Sequence, residues 1–422
     1  MSTEAPQPGQ SAQPSQSSPL GVEAGKAKSG GHRTALLGAM FLMATSAIGP
    51  GFITQTTVFT VQLGAAFAFA IFVSILVDIA VQLNVWRVIG VSGQRAQELG
   101  SKVLPGAGIV LAALVFVGGA VFNIGNIAGT GLGLNAMIGL DPKIGGGISA
   151  AVAILIFLSK RAGMALDRIV VFLGAIMILL MLYVAIVAAP PVGVALKNTV
   201  LPEEIDFLVI TTLIGGTVGG YITYSGAHRM IDSGVSGVES VKQISRSSVL
   251  GILVTCIMRV LLFLAIFGVV AGGVALTSDN MAAEAFGAAA GEIGMRIFGV
   301  VLWSAALTSV IGAAFTSISF VTKSSGSPRT RNLLTVAFIF VCAVVYLFLG
   351  QAPQTLLIFA GAFNGLILPF GFAILLWVAW RRKDLLHGYV YPKWLLTIGV
   401  LAWLLTLFLG WNSLAGLTRL WS

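Results

Sequence analysis

Residues 45–57, TSAIGPGFITQTT, and residues 214–229, IGGTVGGYITYSGAHR, each place glycine, threonine or proline inside an otherwise apolar segment. Proline removes one backbone hydrogen bond from a helix, and glycine leaves the backbone free to unwind. In a membrane, such interruptions persist only where they line a cavity or are buried by protein. The two stretches therefore predict broken transmembrane helices, with the breaks at residues 49–51 and 215–220.

The rest of the chain is apolar enough to form membrane-spanning helices around these breaks. Of 422 residues, 57% are hydrophobic and 9% are charged, against about 25% charged in a soluble globular domain. About 20 mostly apolar residues cross a bilayer as a helix. Eleven segments qualify and predict an all-α integral membrane protein with 11 transmembrane helices, near residues 35–60, 63–85, 106–134, 145–159, 168–188, 206–228, 247–273, 293–320, 333–349, 355–380 and 394–417.

Residues 1–33 differ from the rest in being rich in Ser, Gln, Gly and Pro. Such a segment buries too little apolar surface to order itself, so it is predicted to be a disordered cytoplasmic tail. Residues 34–422 are predicted to form one transmembrane domain. Within it we place repeat one at about 34–190, repeat two at about 204–381 and an additional eleventh helix at about 394–417.

Lysine and arginine predict the orientation. With eleven helices, most basic residues fall into loops on one side, whereas the opposite loops are mostly acidic. The positive-inside rule then places the N-terminus in the cytoplasm and the C-terminus outside, in a multi-pass protein of the cell (inner) membrane. Basic residues in the cytoplasmic loops, beside membrane lipid, thereby account for the net charge of +9. Nucleic acid is not expected as a partner.

The two breaks lie five helices apart, so the second half of the chain enters the membrane from the opposite side. Two five-helix halves that each open on a broken helix are typical of transporters with a 5+5 inverted repeat, whose site lies where the breaks meet at the midplane. The alternative is that these glycines only allow close helix packing.

Candidate substrate-binding residues follow from this prediction. Half-helix N-termini favour anions, while hydroxyl, amide and aromatic side chains supply donors and apolar walls. The candidates are Gly49, Pro50, Gly51, Phe52, Thr54 and Gln55 in the first segment, Thr217, Gly219, Gly220, Tyr221 and Thr223 in the sixth, and Asn364 in the tenth.

Further polar residues inside apolar segments are candidates for ion coupling or proton relay. An unpaired charge at membrane depth is costly, so Asp78 and Arg259 should each face a partner or water. They are expected at different depths, Asp78 about two turns from the cytoplasmic end of its helix, which makes a direct pair doubtful. The other candidates are Asn123, Asn126, His228, Thr308 and Ser309, for which helix packing or local hydrogen bonding is the alternative role.

After the tail, the chain resembles the NRAMP (natural resistance-associated macrophage protein) family of proton-coupled divalent-metal transporters. The resemblance rests on the helix count, the GPG break, the GT-containing break in helix six, and Leu368, Pro369 and Phe370 in helix ten. It implies a LeuT-like fold.

The metal motifs of that family are absent. The DPGN of metal transporters corresponds here to residues 49–52, and their MPH motif to residues 219–221. The helix-ten glutamine that approaches the metal in that family corresponds here to a position near Gly361. The carboxylate, the amide and the sulfur of the family's metal site are therefore all missing. Because divalent transition metals require carboxylate, imidazole or sulfur ligands, no metal site is predicted, and no cofactor is expected.

We therefore expect a secondary transporter that moves a small organic carboxylate by alternating access, driven by H⁺ or Na⁺. The resemblance to a GPG-type subgroup found beside genes for 5-oxoproline breakdown implies 5-oxoproline as one possible cargo. A divalent cation, Mg²⁺ or Mn²⁺, is the alternative cargo, and a non-transporting receptor or scaffold is the alternative of another class. No Ser/His, Asp/Asp or HExxH arrangement occurs within the segments, so no enzyme is expected.

Overall fold

The structure is a computed structural model that describes residues 49–232, 234–322 and 327–419. The predicted tail and the first half of the first predicted helix lie outside these residues. The α-helices are α1 Pro50–Leu63, α2 Phe67–Ser92, α3 Ala96–Val103, α4 Ala107–Ile138, α5 Pro142–Leu158, α6 Lys160–Val187, α7 Val192–Val200, α8 Phe207–Thr217, α9 Ile222–Asp232, α10 Val241–Ala271, α11 Met281–Val321, α12 Pro328–Leu349, α13 Pro353–Arg381 and α14 Lys393–Arg419.

Several of these helices can cross a membrane. In the described part of the chain, eight helical segments are long and apolar enough, and α6 with α7, bent by 105°, adds a ninth if counted as one span. One of the eight, Pro50–Ser92, has 43 residues and would extend about 65 Å if straight, twice a bilayer's apolar core. It is divided where Gly64 adopts a φ of 54° between α1 and α2. The protein is thus multi-pass, and the count of eleven stays a prediction.

The outer surface fits a lipid environment. Phe348, Trp411 and Ile109 are 86%, 77% and 75% exposed, and many other large apolar side chains share this exposure. Exposed apolar area on this scale marks a membrane or partner surface rather than a water-facing one.

The break in the sixth predicted helix is present, but it lies slightly later than predicted. Helix α8 ends at Thr217, residues 218–221 form a turn, and α9 follows. Gly215 is still helical, and a Cβ atom there would collide with the carbonyl oxygen of Gly361 on α13. Gly220 makes the turn with a φ of 48°. The predicted break at 215–220 is therefore corrected to 218–221, and Gly215 serves close packing.

The first break appears in the described residues as a helix that begins inside the membrane domain. Gly49 is extended, with φ −77° and ψ 168°, and Pro50 is the first helical residue of α1. Proline suits this position because its missing N–H has no helical acceptor there. The 14 residues of α1 rise only about 21 Å, too little to cross the membrane alone.

Small residues let the central helices approach closely. Helix α4 runs along α11, and Gly133 faces the backbone of Trp303, whose Cα would lie 2.6 Å from an added Cβ. Gly129 is similarly covered by Pro50. Gly129 and Gly133 thus allow α4 to pack closely against its neighbours. Helix α1 is in turn surrounded by α4, α8, α10, α11 and α13, which brings its start to the centre of the molecule.

Helix α2 is longer than predicted and runs antiparallel to α10. It continues to Ser92 instead of ending near residue 85, so Asp78 lies nearly four turns from its C-terminal end, not two. The side chain of Gln82 donates to the carbonyl of Ser248 on α10. This register puts Asp78 beside residue 252, about 10 Å along the axis from Arg259, in agreement with the expected difference in depth.

Replacing Gly133 with alanine is expected to destabilise the protein by about 1–3 kcal/mol, because the added methyl group has no room against the Trp303 backbone. The apparent melting temperature of purified protein in detergent measures the effect. Gly193→Ala is the matched control, since nothing lies within 4 Å of a Cβ at that helical position. Equal melting temperatures for the two variants would contradict the packing argument.

Candidate functional site

The two breaks meet at one place in the centre of the helices. Gln55, on the first turns of α1, faces Gly216 at the end of α8, where an added Cβ would lie 2.6 Å from Gln55 Oε1. On the other side, Gln55 Nε2 donates to the carbonyl of Leu357 on α13. The half-helices of both repeats and α13 therefore converge around this one buried side chain.

Arg259 of α10 joins this centre. Its guanidinium lies over the ring of Phe52, 4.6 Å from the centroid. Its Nη1 donates to the hydroxyl of Thr217, the last residue of α8, at 3.2 Å. Arg259 is 1% exposed, and it thus touches the residues that flank both breaks. The sequence predicts only that Arg259 faces a partner or water, and the structure shows Phe52 and Thr217 beside it.

One edge of this guanidinium has no partner. Among the described residues, neither Nε nor Nη2 of Arg259 finds a hydrogen-bond acceptor. These two nitrogens are neighbours on the same side of the planar group, and together they form a fork that matches the two oxygens of a carboxylate. The arginine therefore presents an unused binding edge deep in the protein.

Asp78 of α2 lies near the same arginine without bonding to it. Asp78 and Arg259 interact electrostatically, and the Thr217 hydroxyl is also a neighbour of the Asp78 carboxyl. Oδ1 of Asp78 has no hydrogen-bond partner in the described chain, and the Thr217 hydroxyl donates to the carbonyl of Leu213. The direct pair of Asp78 with Arg259 that the sequence made doubtful is not formed, and the Thr217 hydroxyl is a neighbour of both groups.

Amide groups surround the turn between α8 and α9. Nδ2 of Asn364 donates to the carbonyls of Gly118 and Ala360. Its Oδ1 has no partner in the described residues, like Oε1 of Gln55, and a Cβ on Gly220 would collide with this oxygen. Two amide oxygens are thus left free to accept hydrogen bonds.

Gln55 also occupies the space of a missing side chain. A Cβ on Gly361 would collide with Nε2 of Gln55, so the glutamine of α1 fills the room that a side chain at position 361 of α13 would need. The family resemblance indicates that the helix-ten glutamine, and with it an amide, is lost at this position. In three dimensions an amide is present there, but it comes from another helix.

Aromatic rings form an apolar wall next to the amides. Tyr221, in the turn, packs edge-on against Phe122 of α4 with ring centroids 5.4 Å apart. Phe122 also lies beside Gly51. Thr54 and Thr223 are buried nearby along α1 and α9, and the Thr223 hydroxyl has no partner among the described residues.

The remaining predicted candidates lie on α4 and α11. Asn123 and Asn126 on α4 are fully buried, and their side-chain amides have no hydrogen-bond partner in the described chain. Thr308 and Ser309 both donate to the carbonyl of Ala305 in their own helix. Ser309 is nevertheless next to the first break, because a Cβ on Gly49 would lie 3.5 Å from its oxygen.

His228 has a structural role at the far end of α9. Its Nε2 accepts a hydrogen bond from the backbone N–H of Ala96 at 3.1 Å, and its ring stacks on Phe320 at 4.5 Å. His228 is thus the acceptor of a hydrogen bond between two helices. A proton relay through Nε2 would first require this bond to break.

Phe122 was not predicted from the sequence. Its signal was present, since it immediately precedes Asn123 in a segment already marked as polar, but aromatic residues are common in apolar helices. Among the described residues, no group of three or more His, Cys, Asp or Glu side chains is arranged to hold a metal ion.

Known proteins with similar sequences place this chain in a family. The model of the family "Natural resistance-associated macrophage protein-like" matches residues 40–416. An uncharacterized membrane protein of Bacillus subtilis, YcsG, is 49% identical over 397 residues, which are 94% of this chain and 98% of the relative. An uncharacterized membrane protein of Haemophilus influenzae is 50% identical over 364 residues, or 86% and 91% of the two chains.

Solved structures of low sequence identity show the same fold. The manganese transporter of Eremococcus coleocola, in complex with an aromatic bis-isothiourea substituted compound, superposes with a TM-score of 0.71 at 18% identity and covers 94% of this chain and 89% of that chain. MhsT in complex with L-phenylalanine gives a TM-score of 0.66 at 16% identity, with coverage of 89% and 98%. The all-α, LeuT-like fold expected from the sequence is confirmed, and the protein is a membrane transporter that belongs to the natural resistance-associated macrophage protein-like family.

Proposed function

We propose that this secondary transporter carries a small organic carboxylate, bound between the two helix breaks with its carboxylate on Arg259. The observation that carries the proposal is the unpartnered Nε and Nη2 edge of this buried arginine. A buried donor without an acceptor is costly, and a charged one more so. A cargo carboxylate would accept from both nitrogens at once and remove that cost.

The other surroundings suit the same kind of cargo. The N-terminus of α1 begins at Gly49 and Pro50, and its partial positive charge favours an anion. Phe52, Phe122 and Tyr221 supply flat apolar walls. A small, partly apolar acid fits this combination better than a hydrated ion does.

The free amide oxygens further restrict the kinds of cargo that fit the site. Oε1 of Gln55 and Oδ1 of Asn364 can only accept hydrogen bonds, so they favour a cargo that carries an N–H as well as a carboxylate. Amino acids and 5-oxoproline have both groups. MhsT, which shares the fold, binds L-phenylalanine in its structure, and this supports the class of cargo by analogy only.

A divalent cation is the second candidate cargo. The likeness to a manganese transporter and the two free amide oxygens favour it. The donor set argues against it, since the amides bring no negative charge and the guanidinium of Arg259 lies on Phe52, beside the first break. Mg²⁺ and Mn²⁺ sites normally include carboxylates.

Uptake into liposomes decides between the two. Purified protein is reconstituted, and a proton or sodium gradient is imposed while labelled 5-oxoproline, amino acids, Mn²⁺ or Mg²⁺ is offered. We expect accumulation of at least one carboxylate and none of the metals. Metal uptake without carboxylate uptake would replace the proposal with the second candidate, and uptake of neither would contradict both proposed cargoes.

Arg259→Lys is expected to weaken cargo binding about 10–100-fold, because lysine keeps the charge but lacks the fork that makes two charge-assisted hydrogen bonds. The dissociation constant in detergent, measured by calorimetry, checks this. Arg296→Lys is the matched control, since Arg296 is 58% exposed and pairs with Glu292 at the surface. Unchanged affinity in the Arg259 variant would place the cargo elsewhere.

Gly220→Ala is expected to reduce uptake at least tenfold, because the turn requires a positive φ and the new Cβ collides with Asn364. Gly139→Ala is the control that separates the effect of the positive φ from the effect of the collision. Gly139 also has a positive φ, of 73°, but nothing lies within 4 Å of its Cβ, so its alanine variant bears only the backbone strain of about 1–2 kcal/mol. Equal loss of uptake in both variants would show that strain alone is responsible.

A further inference from the structure

Asp78 is a buried carboxyl group that the proposed cargo site leaves without a function. It is 1% exposed on α2, its Oδ1 has no hydrogen-bond partner among the described residues, and it interacts electrostatically with Arg259. Within a membrane domain such a group is rare and marks a functional position by default.

The groups that face Asp78 come from two neighbouring helices. Helix α10 contributes Arg259 and the thiol of Cys256, and α8 contributes the Thr217 hydroxyl. Arg259 is thus the positive charge that acts on Asp78 in the described part of the chain. In the protein without cargo, ionisation of Asp78 would balance this positive charge and leave the region neutral.

Binding of a cargo carboxylate changes this balance. The cargo on the Nε and Nη2 edge would supply a second negative charge to the same guanidinium. Two carboxylates and one guanidinium then leave one excess negative charge where water cannot screen it, and like charges in one site favour protonation of one of them. The cargo is held by the fork of Arg259, whereas Asp78 lacks a direct bond to it, so Asp78 is the group that takes up the proton.

We propose that Asp78 is the proton-binding group that couples transport to H⁺: it is protonated while a carboxylate occupies Arg259 and ionised when that position is empty. One proton then crosses with each cargo molecule, as an O–H of Asp78 that forms on loading and is lost on release. This inference rests on the proposed carboxylate cargo, and it selects the proton over sodium as the coupling ion.

The first test measures protons taken up on binding. Calorimetry of 5-oxoproline binding to the wild-type protein, in two buffers of different ionisation enthalpy, gives the number of protons bound with the cargo. The cargo itself stays ionised above pH 6, since an α-carboxyl titrates at about 3.3–3.7. We expect uptake of about one proton. The dissociation constant should rise about tenfold per pH unit over the pH range in which Asp78 is ionised without cargo and protonated with it.

The Asp78→Asn variant tests whether Asp78 is the group that binds this proton. The variant mimics the protonated state, so it should bind 5-oxoproline with an affinity independent of pH and without proton uptake. In liposomes it should exchange internal for external cargo but fail to accumulate cargo under an inward proton gradient. Glu292→Gln is the control, because Glu292 is an exposed carboxylate paired with Arg296, and it should behave as wild type.

The outcomes separate the two proposals. If wild-type protein does not bind 5-oxoproline or any other small carboxylate at any pH, the proposed cargo is wrong and this inference fails with it. If the wild type binds a carboxylate but takes up no proton, the cargo stands and the role of Asp78 is overturned. Proton-driven accumulation by Asp78→Asn at the wild-type level would overturn it as well, and this result remains informative even if expression is lower.

Discussion

A guanidinium held out of water between two interrupted helices is the group on which the rest of this structure depends. Arg259 cannot be left alone at that depth, because an isolated buried charge is far more costly than any single packing contact. Phe52 covers its face and Thr217 takes one nitrogen. Both residues belong to the half-helices, so the positions of the breaks and of the charge are set together. The remaining edge, Nε and Nη2, has no partner among the described residues, and it is the part of the group to which the proposed cargo would bind.

The glycines of the two breaks serve different physical purposes. Gly220 adopts a backbone conformation that other residues avoid, and it leaves room for the Asn364 amide. Gly215 and Gly361 instead allow α8 and α13 to touch backbone to backbone. In lipid, where apolar side chains gain little by leaving the solvent, such close contact is a main source of helix association. One short motif therefore both opens the helix and anchors it to its neighbour.

Much of this arrangement could be predicted from local sequence. The apolar segments and the two breaks depend on properties within about 20 neighbouring residues. The end of α2 could not be predicted in the same way. Asn84 and Arg87 suggest a boundary, yet the helix continues past both. Asn84 accepts a hydrogen bond from Tyr391, and Arg87 donates one to Ser245. Partners so distant in sequence leave no local pattern.

The composition of the centre was the least predictable part, because it depends on which faces of separate helices meet. The position of Gly361 in the sequence indicated that an amide had been lost. Gln55 fills that space from α1, and no comparison of single positions can detect an exchange between helices. The contact of Arg259 with both breaks is of the same kind, since spacing along α10 fixes its depth but not its neighbours.

His228 connects the second break to a distant part of the molecule. It lies on α9, the half-helix that follows the break, and its Nε2 accepts the first backbone N–H of the short helix α3. If α9 tilts during the transport cycle, the imidazole moves with it and α3 loses its end cap. The amide hydrogen of Ala96 would then exchange with solvent deuterium, so its exchange rate reports how α9 is positioned without an attached probe or bound cargo.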